Sequence, residues 1–485
     1  VLYCAGGSFL LQVPSEQAEA IRREIEEIYR KETLVATVTV VYEQNRPPSG
    51  DPQPEGSWAR RIQSAAGDVP LDGGFAQRLL FLNARVREAK LGKTAAPFYE
   101  AMPFGKRCER CGKRMAGERE GIENGKALCV VCKLRDEKGR RKSKGEIRGK
   151  FNEEFWAQYG KSRKGEQPED LDHLIASARR KYLAFFYADG NDIGGLLQKI
   201  RSPEQYMQVS EALEQGTKQA LFDSLEAVCG LALERDAEEG WWPFDIVNIG
   251  GDDVTVLIQA GYAWDIAVEF LGRFESEVRR RLPKNLAWKP TASCGIAIAD
   301  VKYPIRYLER LATDLLKKTK KRAKENADNP KSVIDFLWLP SPVASDRVEP
   351  LMEVYRSREW TELIARPYTL EEAREIRDLI SQICRWPRTT RHRWTEALEK
   401  GVLQSLNFIQ YDLARERGGA EKIETLEQLG DLLSKRGGKS IAGLPIWHRI
   451  PKDQEPIWRT PLLDVLELAE LHAMRPDVEE EEERA

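Results

Sequence analysis

Apolar positions recur along this chain with two different periods, and the switch between them marks out its elements. Tyr182 to Ala188, the two runs flanking Gly250-Gly251, Thr291 to Ala299 and Ser332 to Trp338 are β-branched or aromatic, short and bounded by turn residues, so they read as strands. The stretch after Pro203 and residues 263–281 carry helical spacing. A further helix begins at Pro304, a favoured first-turn residue, and puts Tyr307, Leu308, Leu311 and Leu315 on one face. In the N-terminal part, the apolar run Val1 to Pro14 is broken by Gly6-Gly7. Ser15 then caps a helix with Ala18, Ile21, Ile25 and Ile28 on one side, and Val35 to Tyr42 reads as a strand. Residues 44–56 are loop chemistry. Beyond residue 345 the pattern is helical: Thr369 and Glu372 form a capping box ahead of Ile376, Leu379, Ile380 and Ile383. Trp360, Trp386, Trp394, Trp447 and Trp458 read as core anchors there, and the acidic run Glu479 to Glu483 as a disordered tail.

At 485 residues the chain is too long for one core, and two to four domains are expected. The alternation predicts an α/β unit over 1–100, a cysteine-bearing segment over 101–150, a helical linker over 151–179, a second α/β unit over 180–342 and a helical domain over 343–485. The net charge is only -2, so any nucleic-acid contact has to come from a local patch; the basic run Lys138 to Lys144 reads either as a solvated linker or as a phosphate or subunit contact. No apolar run is long enough to span a membrane, and no signal peptide is recognisable at Val1. Eight cysteines in this length do not make a disulfide scaffold and suit a reducing, cytoplasmic setting.

The candidate chemistry sits at two strand ends. Gly250-Gly251-Asp252-Asp253 lies at a hairpin tip, and about sixty residues earlier the strand from Tyr182 ends in Asp189-Gly190-Asn191-Asp192. Magnesium takes oxygen ligands, commonly one or two carboxylates with substrate phosphates. Asp189, Asp252 and Asp253 are the expected ligands for Mg²⁺ or Mn²⁺ and the expected catalytic residues, with Gly250 and Gly251 leaving room for a nucleotide. Two metals there would serve phosphoryl transfer from a nucleoside triphosphate. Lys320 is the expected triphosphate contact, with Lys317 and Lys321 as competitors; Asn191 and Asp192 are candidates for base or ribose, and Ser293 for base.

Cys108-x-x-Cys111 and Cys129-x-x-Cys132 stand 17 residues apart. Two such knuckles supply the tetrahedral thiolate set that zinc prefers, and four protein ligands make the site structural rather than catalytic. His173, His392, His448 and His472 are scattered, and no His-Asp dipeptide occurs. A short internal repeat lays Ala5-Gly6-Gly7-Ser8-Phe9 on Ile249-Gly250-Gly251-Asp252-Asp253, with both carboxylates replaced.

These motifs, in this order, resemble the large polymerase-like subunit of type III CRISPR effector complexes. The likeness rests on Tyr187 to Gly195, Ile249 to Val254, the cysteine pairs ahead of both, Tyr303-Pro304-Ile305 with Leu315-Leu316 and Thr319-Lys320, and Arg366 to Glu372 and Thr460 to Glu467 in the helical part. It implies an α/β plus α multidomain fold with two palm domains of ferredoxin-like, GGDEF-cyclase-like type, the first degenerate, a zinc module and a C-terminal helical domain. It further implies synthesis of cyclic oligoadenylate messengers from ATP when guide RNA in the complex pairs with target RNA, alongside other protein subunits. By that likeness Asp189, Asp252 and Asp253 are metal ligands and Lys320 a phosphate contact. Three departures stand out. Asn191 replaces the second carboxylate of the family's Asp-Gly-Asp; the His-Asp nuclease domain of many members has no counterpart; and the chain starts inside a palm strand, so that a preceding part is expected to be lost or supplied by another polypeptide. Two rival readings are a scaffold subunit with a vestigial site and a stand-alone GGDEF-type cyclic dinucleotide synthase.

Overall fold

The computed structural model describes residues 2–5, 8–34, 38–42, 75–92, 105–116, 122–123, 126–139, 147, 149–160, 165–233, 241–325, 329–341, 345, 347–358, 360–415, 419–440, 445–450 and 457–476. The chain divides into two compact units, residues 1–148 with 192–210, and residues 149–191 with 211–485.

The second unit is built on a six-stranded sheet. Its elements are β1 (Tyr182–Gly190), the part of α1 (Pro203–Leu233) that follows Ser210, β2 (Phe244–Gly250), β3 (Asp253–Gln259), α2 (Ala263–Arg281), β4 (Ala292–Asp300), α3 (Ile305–Ala323), β5 (Val333–Trp338) and β6 (Tyr368–Thr369). The strand order is β6-β5-β4-β1-β3-β2. Of these, β4-β1-β3-β2 is the all-antiparallel order that a βαββαβ chain makes when two crossovers interleave, which is the ferredoxin-like arrangement. Both neighbours of β1 are long, so β1 is central and almost entirely buried.

The two faces are covered differently. Phe186 of β1 meets Phe270 of α2 edge-on at 5.7 Å between ring centroids, and Gly216 of α1 lies against Val278 of α2. The other face, which carries Tyr187 and its cross-strand partner Gly295, is covered by α3. A Cβ on Gly295 would stand 2.4 Å from the carbonyl oxygen of Ala312. Glycine is therefore what lets α3 lie this close to the strand. Edge strand β2 is blunted by the helix Lys150–Tyr159: the Asn152 side chain donates to Ile246 O and accepts from Ile246 N, both at 3.1 Å, as a neighbouring strand would.

Strand β6 leads directly into α4 (Leu370–Cys384). Thr369 pairs with Val333 in the sheet and also forms the expected capping box with Glu372. Helices α5 (Arg388–Glu399), α6 (Val402–Arg415), α7 (Gly419–Ser434) and α8 (Leu462–His472) complete the helical part. Trp386, Trp394 and Trp447 are buried as expected, whereas Trp360 is 51% exposed, in a turn at φ 66°. A small five-stranded sheet (residues 356–358, 361–362, 439–440, 448–450 and 457–459) interrupts the helices. Strands of two or three residues are too short to print an alternation in the sequence.

In the first unit, Tyr3–Ala5 and Ser8–Leu10 pair as a hairpin with Ala5 opposite Ser8. The helix that follows is Ala18–Thr33, preceded by a 3₁₀ turn over Ser15–Gln17. Ser15 makes no side-chain cap there: the chain enters through Pro14, and the 3₁₀ turn takes the place of the cap. Residues 38–42 are described without strand pairing, a correction to the expected strand over 35–42, whose first three residues lie outside the described part. Gly6-Gly7, the loop 44–56, most of the basic run 138–144 and the acidic tail also lie outside it. No described helix is long and apolar enough to cross a membrane.

Candidate active site

The β2–β3 hairpin closes on Gly250 paired with Asp253, leaving Gly251 and Asp252 as a two-residue loop. Gly251 takes φ 84°, the glycine-first geometry of a type II′ turn, which matches the twist of the flanking strands. Ala188 pairs with Val254, so one step on, Asp189 lies opposite Asp253 on the same face of the sheet. The turn thus carries Asp252 and Asp253 to the end of β1.

Burial raises the Asp252 carboxyl to about 6, with the Asp253 charge adding to it; the N–H groups of Asp252 and Gly190 pull the other way. Burial likewise raises Asp253, against the N–H groups of Asp253 and Gly250. One oxygen of Asp253, Oδ1, is buried with no hydrogen-bond partner. Two adjacent, partly desolvated carboxylates with an orphaned oxygen are a donor set that fits a divalent cation. Asp189 pairs with the ammonium of Lys320, which reaches it from the last turn of α3. Burial, with Lys324 behind it, pulls the Lys320 ammonium below the ordinary lysine range. Among the described residues, the three aspartates are not drawn into one tight cluster; the four cysteines are. Lys320, rather than the other two carboxylates, is what Asp189 meets.

The remaining expected contacts are placed as follows. Ser293, fully buried opposite Asp189, donates to Asn191 Oδ1 at 2.9 Å, and Asn191 Nδ2 donates to Thr291 Oγ1 at 3.2 Å. Asn191 and Ser293 therefore hold each other and the strand end. Asp192 is exposed at φ 54°, and its carboxylate lies over Gly195, where a Cβ would stand 2.4 Å from it. Tyr187 was not singled out in the sequence. Its hydroxyl is raised first by burial and then by the charges of Asp253 and Asp252. The available signal was its position two residues before Asp189, on the same face.

The cysteine site belongs to the first unit. The sulfurs of Cys108, Cys111, Cys129 and Cys132 all lie within 4.8 Å of one another. Arg107 bridges Met115 and Glu109 N donates to Ala127 O at 2.9 Å, which brings the two knuckles together; Gly112 turns the first at φ 62°. Burial opposes charge at Cys108, yet the N–H groups of Cys111, Cys129 and Arg110 hold its thiol at about 6. Cys132 is raised to about 12 by burial and the neighbouring sulfurs. Crowded thiols that repel one another's charge, beside N–H donors that favour thiolate, suit a closed tetrahedral zinc site.

Residues 182–328, the segment holding all three aspartates and Lys320, match the family model of the Cas10/Cmr2 second palm domain. Over that segment the chain is Cas10-like. Solved structures overlap it more loosely. A Csm1–Csm4 cassette in complex with cA3 shares 16% identity over 62% of this chain and 37% of that one, at a TM-score of 0.35. Csm1 in T.onnurineus shares 18% over 46% and 31%, at a TM-score of 0.27. A Csm1–Csm4 cassette in complex with AMPPNP shares 16% over 42% and 30%, at a TM-score of 0.26. The chain thus spans well under half the length of each of these. No curated protein matches it.

Proposed function

We propose that this Cas10-like chain is a nucleotidyltransferase that joins ATP into cyclic oligoadenylates, within an RNA-guided type III CRISPR complex and in response to target RNA. The observation that carries this reading is the placement of Asp189, Asp252 and Asp253 at adjoining ends of the two central strands of the matched palm, with Lys320 reaching the same point. In it Asp252 and Asp253, with Asp189, hold Mg²⁺ or Mn²⁺, which when bound lowers the pKa of a ribose hydroxyl and neutralises phosphate charge. Lys320 leaves Asp189 for the β- and γ-phosphates, so that the lysine is exchanged between carboxylate and triphosphate as substrate arrives. The partly desolvated Asp252 and Asp253 are ligands only when ionised, so the reading expects activity to fall as pH drops through about 6. In this reading Tyr187, on the same face of β1 as Asp189, stays protonated and orients a carboxylate or a ribose oxygen.

The test is incubation of the assembled complex with ATP, Mg²⁺ and target RNA, with products read by mass spectrometry. Cyclic oligoadenylates from the wild type and none from an Asp252→Ala, Asp253→Ala variant of unchanged melting behaviour are expected. Undiminished product from that variant would sink the proposal. ATP left untouched by the wild type in every condition, with RNA still bound, would favour a scaffold subunit instead.

A further inference from the structure

We infer that a second ligand site, one that takes the phosphate groups of a nucleotide, lies on the other side of the α3 terminus from Lys320. A pocket of about 510 Å³ opens there, between α3, the segment 352–367 and the end of α7, within the size range of ligand sites. Lys318, Lys321 and Arg322 line one wall at i, i+3 and i+4, while Lys320 points from the same turn to Asp189.

The charges on this wall are under-matched. Arg322 and Arg436 share a single carboxylate, Glu372, with Arg436 bound to it through two contacts of 2.7 Å and Arg322 at 3.1 Å, and their remaining N–H groups donate to the carbonyls of Pro367 and Ala365. Burial and the Arg436 charge both work against the Arg322 cation. Lys318 and Lys321 make no ion pair among the described residues. Of the acids that line the pocket, Glu362 is held by Arg459 at 2.5 Å, the buried Asp335, raised by burial to about 6, stays largely ionised near neutral pH and feels the Arg366 and Lys318 charges, and Glu325 remains. Arg366 forms the floor. Its side chain is wholly buried between Phe336 and Tyr355, at 4.0 and 4.6 Å, and its guanidinium makes ion pairs of 3.4 and 3.3 Å to Asp464 and Glu467 but no hydrogen bond. Guanidinium groups held in place by rings, carbonyls and carboxylates, beside the ammonium groups of Lys318 and Lys321, form a preorganised oxyanion receptor. Met352, Ile364 and Pro367 supply an apolar wall for a base, which is why a nucleotide is chosen over a bare phosphate.

The site is separable from the palm carboxylates, so its test does not depend on synthesis. The full-length chain is titrated with ATP in EDTA, which suppresses metal-dependent binding at Asp252 and Asp253, and heat is read by calorimetry. One equivalent of ATP is expected, displaced by tripolyphosphate and weakened about tenfold or more by a Lys318→Gln, Lys321→Gln variant that melts like the wild type. Asp252→Asn is expected to leave it unchanged. Absence of binding in EDTA, binding lost with Asp252→Asn but kept in the lysine variant, or tripolyphosphate bound as tightly as ATP would each overturn the assignment. So would a short single-stranded RNA bound at this wall in place of ATP. Arg436→Gln gives a second reading at the opposite wall, checked against its own melting curve.

Discussion

Asp252→Asn replaces a charge that the fold holds at a cost with a neutral isostere. The rise of Asp252 from 3.8 to about 6 corresponds to roughly 3 kcal/mol of unfavourable charge burial, at 1.36 kcal/mol for each tenfold in acidity. The sign follows from linkage. The folded state holds this proton more tightly than the unfolded chain does, so the wild type loses stability as pH rises from about 4 to about 6 and stays at its lowest above that. The asparagine variant carries no such dependence. Its advantage should widen from about 1 kcal/mol near pH 4.5 to about 3 kcal/mol near pH 7, less whatever burying the amide costs. Urea unfolding followed by fluorescence, in EDTA at both pH values, measures the gap. Adding Mg²⁺ should then raise the wild-type midpoint and leave the variant where it was, because ligand binding to the folded state adds stability by mass action. An asparagine variant less stable than the wild type near pH 7, or a gap independent of pH, would refute the claim that desolvated charge is concentrated at this turn.

Lys320→Ala should raise the KM for ATP about tenfold to a hundredfold, the effect of losing one charge-assisted contact, and steady-state kinetics on the assembled complex would show it. Gly295→Ala should destabilise the second unit by about 1–3 kcal/mol, because the new methyl meets the α3 backbone; a denaturation curve reports the loss, and activity should fall with it as Lys320 is carried off Asp189. Purified chain should contain about one zinc per molecule by metal analysis, and Cys132→Ser should lose it while the palm still unfolds at the wild-type midpoint. Less than about half an equivalent in the wild type would contradict the quartet.

The palm was legible because its strands are long and its turn residues are specific. Gly250-Gly251 demanded a tight turn, and the structure supplies one with φ 84° at Gly251. The capping box at Thr369 and the helix 263–281 appear where sequence spacing puts them, since local hydrogen bonding and one apolar face decide both. Pairing across long separations left no such trace. That Asn152 would close the edge of β2, that Asn191 and Ser293 would bind each other, or that Lys320 would settle on Asp189 depends on which segments meet in three dimensions. The Ser15 cap shows the opposite failure: a correct residue type, displaced by a 3₁₀ turn that the sequence does not announce.

The join at Tyr368–Thr369 has a consequence for how a signal travels. The sixth strand of the palm sheet is the leader of α4, and Arg377 of that helix grips Glu269 of α2 at 2.6 Å, while the buried Arg366 ties the same join to α8 through Asp464 and Glu467. No hinge separates the helices from the sheet at this point. Whatever leans on the helical part therefore acts on the strands that carry the aspartates as a lever acts on its own shaft, by displacing them together rather than by unlocking one from the other. Cutting the chain at residue 342 would not isolate the palm intact; it would take away one strand of its sheet.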